Sequence, residues 1–259
     1  MGNLPRWSVL ERKIYGRKAT GLEPSAGSWR LFYFRRNKDG QLTDHQGKPI
    51  KLAIRNPFTI KFRGQELPAV QRMLKHKTER TERIAKYWGL GPPTKQWTPI
   101  IERLIDTYGV TPPRAARILA AMQAGINDAF LITWALKYRW DVARPDQLDR
   151  SLKTIIPTPK FPGYPSGHSV ISGTAQVVLS YFFPAESKRL RNLAEEAALS
   201  RLYAGIHFPV DSREGLRLGR QIGRIIVKAL KNEKDNGGLP IDKGYTIWKR
   251  AKLPPPPYL

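Results

Sequence analysis

A long apolar segment, from Ala115 to about Trp140, restricts the fold of this sequence more than any other feature. It is apolar on all sides rather than along one stripe, which is typical of a helix at the centre of a bundle. Four polar or charged residues interrupt it, namely Arg117, Gln123, Asn127 and Asp128. Such groups are costly at the centre of a bilayer, and the apolar segment at residues 170–183 is too short to span one. The sequence therefore predicts a buried central helix and no membrane span.

Capping and helix-breaking residues divide most of the remaining chain into further helices. Thr98 with Pro99, and Thr111 with Pro112, have the pattern of an N-cap followed by a first helical residue. Gly89 and Gly109 follow helix-forming segments and indicate where those segments end. These signals predict helices over residues 81–88, 99–108, 115–140, 167–183, 185–203 and 211–231.

The first 75 or so residues lack helical periodicity. Trp29 to Arg36 predicts a strand, which ends at a turn signalled by residues 38–40, and residues 56–62 give a weaker strand signal because they contain Pro57. We therefore expect a mainly α fold, a helical bundle with a small N-terminal β-hairpin region. The expected domains are a mixed strand and loop region packed on the bundle (1–77), a helical catalytic core (78–237) and a Pro-rich tail (238–259). The tail either lies across the surface or hangs free, and a ligand for a proline-binding module is the less favoured alternative.

Charge and composition limit the classes of function. Lysine and arginine number 45 against 21 acidic residues, a formal net charge of +24, which suits an anionic partner but is for most of these residues explained by solubility. The absence of cysteine excludes disulfides, thiolate metal ligands and thiol nucleophiles. Residues 1–17 carry charges throughout, so we expect no signal peptide and a cytoplasmic protein. The oligomeric state stays open.

Three short patterns in order carry the chemistry. Lys137 is followed after six residues by Arg144-Pro145; Tyr164-Pro165-Ser166-Gly167-His168 comes next; Ser200-Arg201 is followed after five residues by His207. Taken singly, each has an ordinary structural interpretation, such as a helix end, a turn into a helix or a solvated charge. Taken together they predict one pocket for a tetrahedral oxyanion, phosphate or vanadate, in an enzyme.

The residue types in these patterns suit an oxyanion. Gly167 and His168 begin a helical segment, where free backbone N–H groups and the helix dipole favour an anion. Lys137, Arg144 and Arg201 supply three cations, and the two guanidinium groups match tetrahedral oxyanions with two parallel hydrogen bonds. The Ser166 hydroxyl adds a further donor.

The two histidines of these patterns are expected to divide the catalytic work. His207 is the candidate nucleophile, because Asp211 lies beyond the turn at Pro209 and can orient its ring through the other nitrogen. His168 is then the general acid and base. His45 and His76 lie in polar segments, and we interpret both as solvated surface.

These residues resemble the superfamily that joins type 2 phosphatidic acid phosphatases, bacterial non-specific acid phosphatases and vanadium-dependent haloperoxidases. The likeness spans roughly residues 78–231, and all three patterns match. It implies a helical bundle in which His207 forms a phosphohistidine or coordinates vanadium, and in which His168 is the acid and base residue. Within the superfamily the chain looks most like the soluble haloperoxidase-like branch, through residues 84–88, Asp128-Ala129 and Trp134. Phe161 falls where chloroperoxidases of the family carry Phe and bromoperoxidases carry His, although core packing also explains Trp134 and Phe161.

The resemblance implies two activities for one pocket. As a haloperoxidase, the protein would hold vanadate and oxidise halide with hydrogen peroxide, with Trp134 and Phe161 as the pocket wall. As a soluble acid phosphatase, it would need no cofactor and would hydrolyse phosphate monoesters through His207. We favour the first and keep the second as the alternative. A non-enzymatic binder of polyanions is a distant third that rests on charge alone, and we do not expect nucleic acid as a partner.

Overall fold

The computed structural model describes residues 4–16 and 19–255. It is 59% helix and 4% strand, which confirms the predicted mainly α fold. Two predictions concern segments that lie partly outside these ranges. They are the absence of a signal peptide in residues 1–17 and the run of prolines at residues 254–257. Within the described residues the α-helices are α1 (Trp7–Tyr15), α2 (Leu67–Lys75), α3 (Glu79–Gly89), α4 (Thr94–Tyr108), α5 (Pro112–Trp140), α6 (Pro145–Leu148), α7 (Gly167–Phe182), α8 (Ser187–Tyr203) and α9 (Pro209–Asn232).

The apolar segment forms α5, as predicted, and α5 lies at the core of the bundle. Among the described residues it is the one helix long and apolar enough, by length and composition, to cross a membrane. However, 56% of its apolar window is buried inside the protein, and the core helix of a bundle has the same composition. Trp97, Ile126 and Val178 belong to the main core and are fully or almost fully buried.

Helices α7 and α9 approach each other closely because glycines line their interface. A side chain at Gly173 of α7 would meet the Leu216 carbonyl oxygen at 2.8 Å, and one at Gly219 of α9 would overlap the Val170 carbonyl. Gly215 and Gly223, one helical turn to either side of Gly219, are also tight, because a Cβ there would meet atoms of α7 and its N-cap at 2.8 and 2.7 Å. The close approach aligns the beginnings of the two helices, so that the Ser166 amide donates to the Asp211 carbonyl oxygen at 3.1 Å.

Helix α4 begins earlier than the sequence predicted. Thr98 is not an N-cap, because it lies inside α4 and its hydroxyl donates to the Thr94 carbonyl at 3.1 Å. Pro99 therefore lies inside the helix, where it cannot donate a hydrogen bond to the Lys95 carbonyl four residues before it. The Thr111 prediction is correct in position, although the Thr111 side chain makes no capping hydrogen bond.

The N-terminal region departs most from its prediction. It contains two helices that the sequence did not reveal, α1 and α2, and its hairpin is reduced to β1 (Arg35–Arg36) and β2 (Leu42–Thr43), which pair antiparallel. The strand predicted at residues 56–62 is wrong. Asn56 instead accepts a hydrogen bond from the Phe58 amide and begins a 3₁₀ turn at Pro57–Thr59. Proline has no N–H for a strand ladder and suits the first position of a turn, so Pro57 decided the outcome.

Hydrogen bonds to α5 hold residues 22–33 in place. The buried carboxylate of Asp128 accepts from the amides of Phe32 and Tyr33, at 2.8 and 2.7 Å. The Leu22 carbonyl accepts from the Trp134 indole at 3.1 Å and from the Tyr138 hydroxyl at 2.6 Å. This segment therefore forms a fixed cover along one face of α5.

The described part of the C-terminal tail lies across the bundle surface, the first of the two arrangements expected. The Tyr245 ring stacks on Phe183, with centroids 5.3 Å apart, and the Tyr245 amide donates to the Phe182 carbonyl at 2.8 Å. Leu253 is buried. The tail is thus packed on the bundle as far as residue 255, while the three domain boundaries remain a prediction.

Candidate active site

The residues singled out in the sequence meet where the ends of several helices converge. Lys137 lies near the end of α5, Arg144 directly before α6, Arg201 near the end of α8, and His207 just before α9. The start of α7 lies among them, because a Cβ on Gly167 would stand 4.0 Å from Lys137. The side chains of this cluster are buried apart from that of His168, which is partly exposed: Lys137, Arg144, Ser166, His168, Arg201, His207 and Asp211.

Backbone carbonyls fix the position of Lys137. Its ammonium group donates to the carbonyl oxygens of Pro162 and Gly163, at 2.8 and 2.6 Å. These bonds account for two of its three N–H donors. Burial, and secondly the neighbouring Arg144, lower the pKa of Lys137 well below its usual range. A nearby negative charge would raise it again.

Arg144 makes bonds through two of its nitrogens and has one free. Its Nε donates to the Phe161 carbonyl and its Nη1 to the Ile206 carbonyl, both at 2.9 Å. Its Nη2 is buried and has no hydrogen-bond partner among the described residues. Burial lowers the pKa of Arg144 to about 10. Because an unsatisfied charged donor in the interior is costly, this nitrogen marks a position where an anion would be stabilised.

Arg201 is held from the side of α3. Its Nη2 donates to the Ala85 carbonyl at 3.2 Å, and its Nε donates to the Ser200 hydroxyl at 3.0 Å. Burial, and secondly the charge of Arg144, lower the pKa of Arg201 to about 9. The mutual repulsion of the two guanidinium groups would fall if an anion lay between them.

The side chains of His207 and Asp211 lie within hydrogen-bond distance of each other. The His207 Nδ1 lies 2.8 Å from Asp211 Oδ2, which also accepts from the Phe208 amide at 3.1 Å. A carboxylate only accepts hydrogen bonds, so we assign the proton of the neutral ring to Nδ1 and the lone pair to Nε2. That Nε2 lies 3.3 Å from Arg144 Nη1. The ring atom suited to nucleophilic attack or ligation therefore faces the cations.

The pKa directions of this pair follow from burial and from the charges around it. Burial lowers the pKa of His207 well below its usual range, and Arg144, Lys137 and Arg201 lower it further. Burial raises the pKa of Asp211, against the opposing effect of Lys137 and Arg144. His207 is thus held neutral, as a nucleophile or ligand requires.

The start of α7 brings a hydroxyl and the second histidine. The Ser166 oxygen accepts from the amide and hydroxyl of Ser169, at 3.4 and 3.0 Å, which leaves its own proton free to donate. The His168 Nε2 lies 3.0 Å from the Trp88 carbonyl oxygen. Because a carbonyl only accepts, Nε2 carries the proton in the neutral ring, and Nδ1 is available for proton exchange. Burial and then Arg201 lower the pKa of His168 well below its usual range.

Aromatic rings form one wall of this cluster. The Trp134 and Phe161 centroids lie 4.8 Å apart, and the Phe161 centroid is 5.4 Å from Lys137 Nζ and 4.9 Å from Arg144 Cζ. These distances allow cation–π attraction. A third ring, Phe130, stands 5.7 Å from Trp134 and was not predicted. Phe130 could have been predicted, because it lies four residues before Trp134 and therefore on the same face of the helix.

Sequence reasoning also missed the groups that position the charged side chains. They are mostly backbone carbonyls, at Ala85, Trp88, Phe161, Pro162, Gly163 and Ile206. A carbonyl carries no residue-type signal, so no motif could have identified them. Ser169 could have been found, because a second serine three residues after Ser166 is a capping arrangement.

Comparison with known proteins finds one family model that matches part of the helical core. A model described as the PAP2 superfamily matches residues 116–235, the segment that contains every charged residue of the cluster. Residues 116–235 are therefore similar to the PAP2 superfamily. The match covers α5 to α9 and leaves the N-terminal region outside.

Solved structures show the same fold over more of the chain. A bacterial vanadium-dependent iodoperoxidase is 26% identical, with a TM-score of 0.64 over 80% of this chain and 57% of that one. A bacterial vanadium-dependent chloroperoxidase is 15% identical, with a TM-score of 0.63 over 82% of this chain and 55% of the other. LpxE of Aquifex aeolicus is 20% identical, with a TM-score of 0.53 over 65% of this chain and 98% of LpxE. The chain thus spans little more than half the length of these two peroxidases, and no curated protein sequence matches it.

Proposed function

We propose that this protein is a vanadium-dependent haloperoxidase-like enzyme that holds vanadate in the cluster around His207. The observation that carries the proposal is the charge of the cluster. Three buried cations face one buried carboxylate, that of Asp211, and Arg144 Nη2 has no partner among the described residues. A bound oxyanion would satisfy that donor and offset the excess positive charge. The residues therefore fit vanadate, and they fit phosphate equally well.

Each residue then has a definite task. Lys137, Arg144 and Arg201 bind the oxygens, together with the Ser166 hydroxyl and the amide at Gly167. His207 would hold vanadate through its Nε2 lone pair, and Asp211 would keep the ring in that tautomer. When bound, vanadate supplies the activation of hydrogen peroxide toward a halide. His168 exchanges the proton, while Trp134 and Phe161 exclude water and so strengthen the electrostatics of the site.

We prefer halide oxidation over ester hydrolysis because of the sequence similarity to a peroxidase. The iodoperoxidase is 26% identical to this chain, whereas the chloroperoxidase is 15% identical and LpxE is 20% identical. The apolar wall beside the cations supports the same choice, because a weakly hydrated halide enters an apolar space more readily than a hydrated ester does.

A phosphatase is the second candidate, favoured by the neutral His207 with its lone pair on Nε2. In this reaction His168 starts with a proton on Nδ1 as well, a state that a bound phosphate dianion would favour by raising its pKa. Nε2 of His207 attacks phosphorus, the ester P–O bond breaks, and His168 Nδ1 protonates the departing oxygen. Water, deprotonated by His168, then attacks the phosphohistidine and releases phosphate and the free ring. The three cations stabilise the charge on the equatorial oxygens in both steps, and no cofactor is needed.

A non-enzymatic polyanion binder remains the third candidate, and the charge of +24 is its only support. Such binding would weaken steeply with salt and would survive replacement of His207. The cytoplasmic location expected from the sequence also stays a prediction, which fractionation of the native source would test.

One experiment separates the first two candidates. The full chain is purified free of vanadate, divided, and one half is loaded with orthovanadate. We then measure oxidation of iodide, bromide and chloride by hydrogen peroxide, and hydrolysis of a phosphate monoester, in both halves. Halide oxidation only in the loaded half is the expected result. Ester hydrolysis in the vanadate-free half with no halide oxidation in the loaded half would establish the phosphatase instead.

A further inference from the structure

An apolar cavity of about 360 Å³ lies beside the proposed oxyanion site, between α5 and the N-terminal cover. Its volume falls in the range of pockets that hold small organic molecules. Its lining is mostly apolar and comes mainly from two parts of the chain, and four polar residues complete it: Glu23, Thr94, Gln123 and Asn127. The N-terminal cover provides Ala26 and Trp29, and α5 provides Ile126, Phe130, Leu131 and Trp134.

The cavity adjoins the charged cluster through the two aromatic rings that they share. A Cβ on Gly167 would lie 3.9 Å from the Trp134 ring and 4.0 Å from the Phe130 ring. Trp134 also contacts Phe161, the ring beside Lys137 and Arg144. A molecule whose oxyanion end lies among the cations could therefore place its organic end against Phe130 and Trp134.

The N-terminal wall of the cavity is firmly positioned. Gly27 packs on α5 so closely that a Cβ there would meet the Ala135 backbone at 2.7 Å. The hydrogen bonds to Leu22 from Trp134 and Tyr138 hold the segment on its other side. The Trp29 ring, however, is 50% exposed, which is high for so large an apolar side chain. A fixed backbone thus presents a free indole at the cavity.

We propose that this cavity binds a planar aromatic group of the enzyme's organic substrate. The proposal rests on the proposed oxyanion site and specifies its substrate class: a phosphate ester of an aromatic alcohol, or an aromatic compound that accepts oxidised halogen. Three indole or phenyl rings, those of Trp29, Phe130 and Trp134, offer faces and edges for ring stacking. The lining residues include no lysine or arginine, so the phosphate end of an ester would lie in the cluster.

Direct binding of two phosphonates tests the proposal without turnover. Methylphosphonate and 1-naphthylmethylphosphonate carry the same oxyanion group, and their C–P bonds resist hydrolysis. Calorimetry on the full chain should show the naphthyl compound binding at least about tenfold tighter, because its rings leave water for an apolar surface. Trp29→Ala and the milder Phe130→Leu should each reduce that difference to about threefold or less. Trp248→Ala is the matched control, because Trp248 is 60% exposed and lies outside the cavity lining.

The outcomes separate this inference from the proposed function. If neither phosphonate binds, the oxyanion site itself is wrong. If both bind with equal affinity, the oxyanion site stands and the aromatic subsite is overturned. Decylphosphonate binding more tightly than the naphthyl compound would also overturn it, because the cavity would then accept flexible chains rather than planar rings.

Discussion

The two walls of this pocket are built in different ways. The polar wall comes from the C-terminal ends of α5 and α8, the start of α7, and the segments that precede α6 and α9. Backbone carbonyls fix the positions of its cations. The apolar wall comes from one face of α5, Phe161 and a loop segment, and it is held by ring contacts and by hydrogen bonds between the loop segment and α5. A buried charge must have its donors fixed, whereas a ring needs only space of the right shape. The polar wall thus suits a chemical step, and the apolar wall suits the choice of substrate.

The largest effect we expect is from the polar wall, in His207→Ala. The change removes the Nε2 lone pair, so either activity should fall by at least about 10³-fold, as it does when a nucleophile is lost. Rates of halide oxidation and ester hydrolysis, compared with those of wild type, check this. Retention of either activity near the wild-type level would contradict the catalytic role of His207.

His168→Ala, compared with His207→Ala, tests the separate roles of the two histidines. It should slow turnover by about 10²-fold or more, as loss of a general acid and base does. Oxyanion affinity should change little, because Lys137, Arg144 and Arg201 remain. Titration with vanadate separates the two histidines. A comparable loss of vanadate affinity in both variants would show that the ligand and the acid–base residue have been assigned wrongly.

The next prediction tests whether the planar shape of the two guanidinium groups matters in addition to their charge. Arg144→Lys and Arg201→Lys keep the charge but lose the planar pair of donors, so each should lower kcat by about 10²-fold. His45→Gln, at an exposed position outside the cluster, serves as the unaffected control. Near-normal kcat in both lysine variants would mean that neither guanidinium contacts the reacting oxyanion.

A smaller effect concerns the close contact between α7 and α9, which holds the polar wall together. In Gly219→Ala the new Cβ would overlap the Val170 carbonyl, so α7 and α9 must separate and the Ser166–Asp211 contact must lengthen. We expect a loss of about 1–3 kcal/mol in the free energy of unfolding, measured with denaturant, and a fall in activity. Gly64→Ala is the control, because nothing lies within 4 Å of a Cβ there. Equal stability of the two variants would contradict the close approach of these helices.

The contrast between the walls also explains how much the sequence could predict. The charged residues were identifiable because Lys137, Arg144, Arg201 and the two histidines have side chains with few alternative uses at that spacing. The central helices were identifiable because a continuous apolar segment and Pro or Gly boundaries are strong local signals. Both kinds of signal lie within short stretches of sequence.

The N-terminal cover could not be predicted in the same way. Its short turns and single-residue contacts, such as Leu22 with Trp134 and Phe32 with Asp128, join residues about 100 positions apart and leave no periodic pattern. Helix α1 does have a short apolar stripe at helical spacing, Trp7, Leu10 and Ile14, which was missed. Gly215, Gly219 and Gly223 did form a readable pattern, spaced by four residues, whose meaning as a helix contact was missed.

The smallest effect concerns the apolar wall, and it separates the two chemistries. Phe161→His replaces the ring beside Lys137 and Arg144 by one that can donate a hydrogen bond, and it weakens two cation–π contacts. In a haloperoxidase this should shift the ratio of iodide to bromide oxidation by roughly tenfold or less, with vanadate affinity and unfolding free energy nearly unchanged. In a phosphatase it should alter selectivity among esters, with no halide oxidation in the presence of vanadate. Competition between the two halides in one assay measures the ratio directly. If substitutions at Phe161 and Trp134 change only thermal stability, both rings are ordinary core residues, and the apolar wall no longer supports the haloperoxidase.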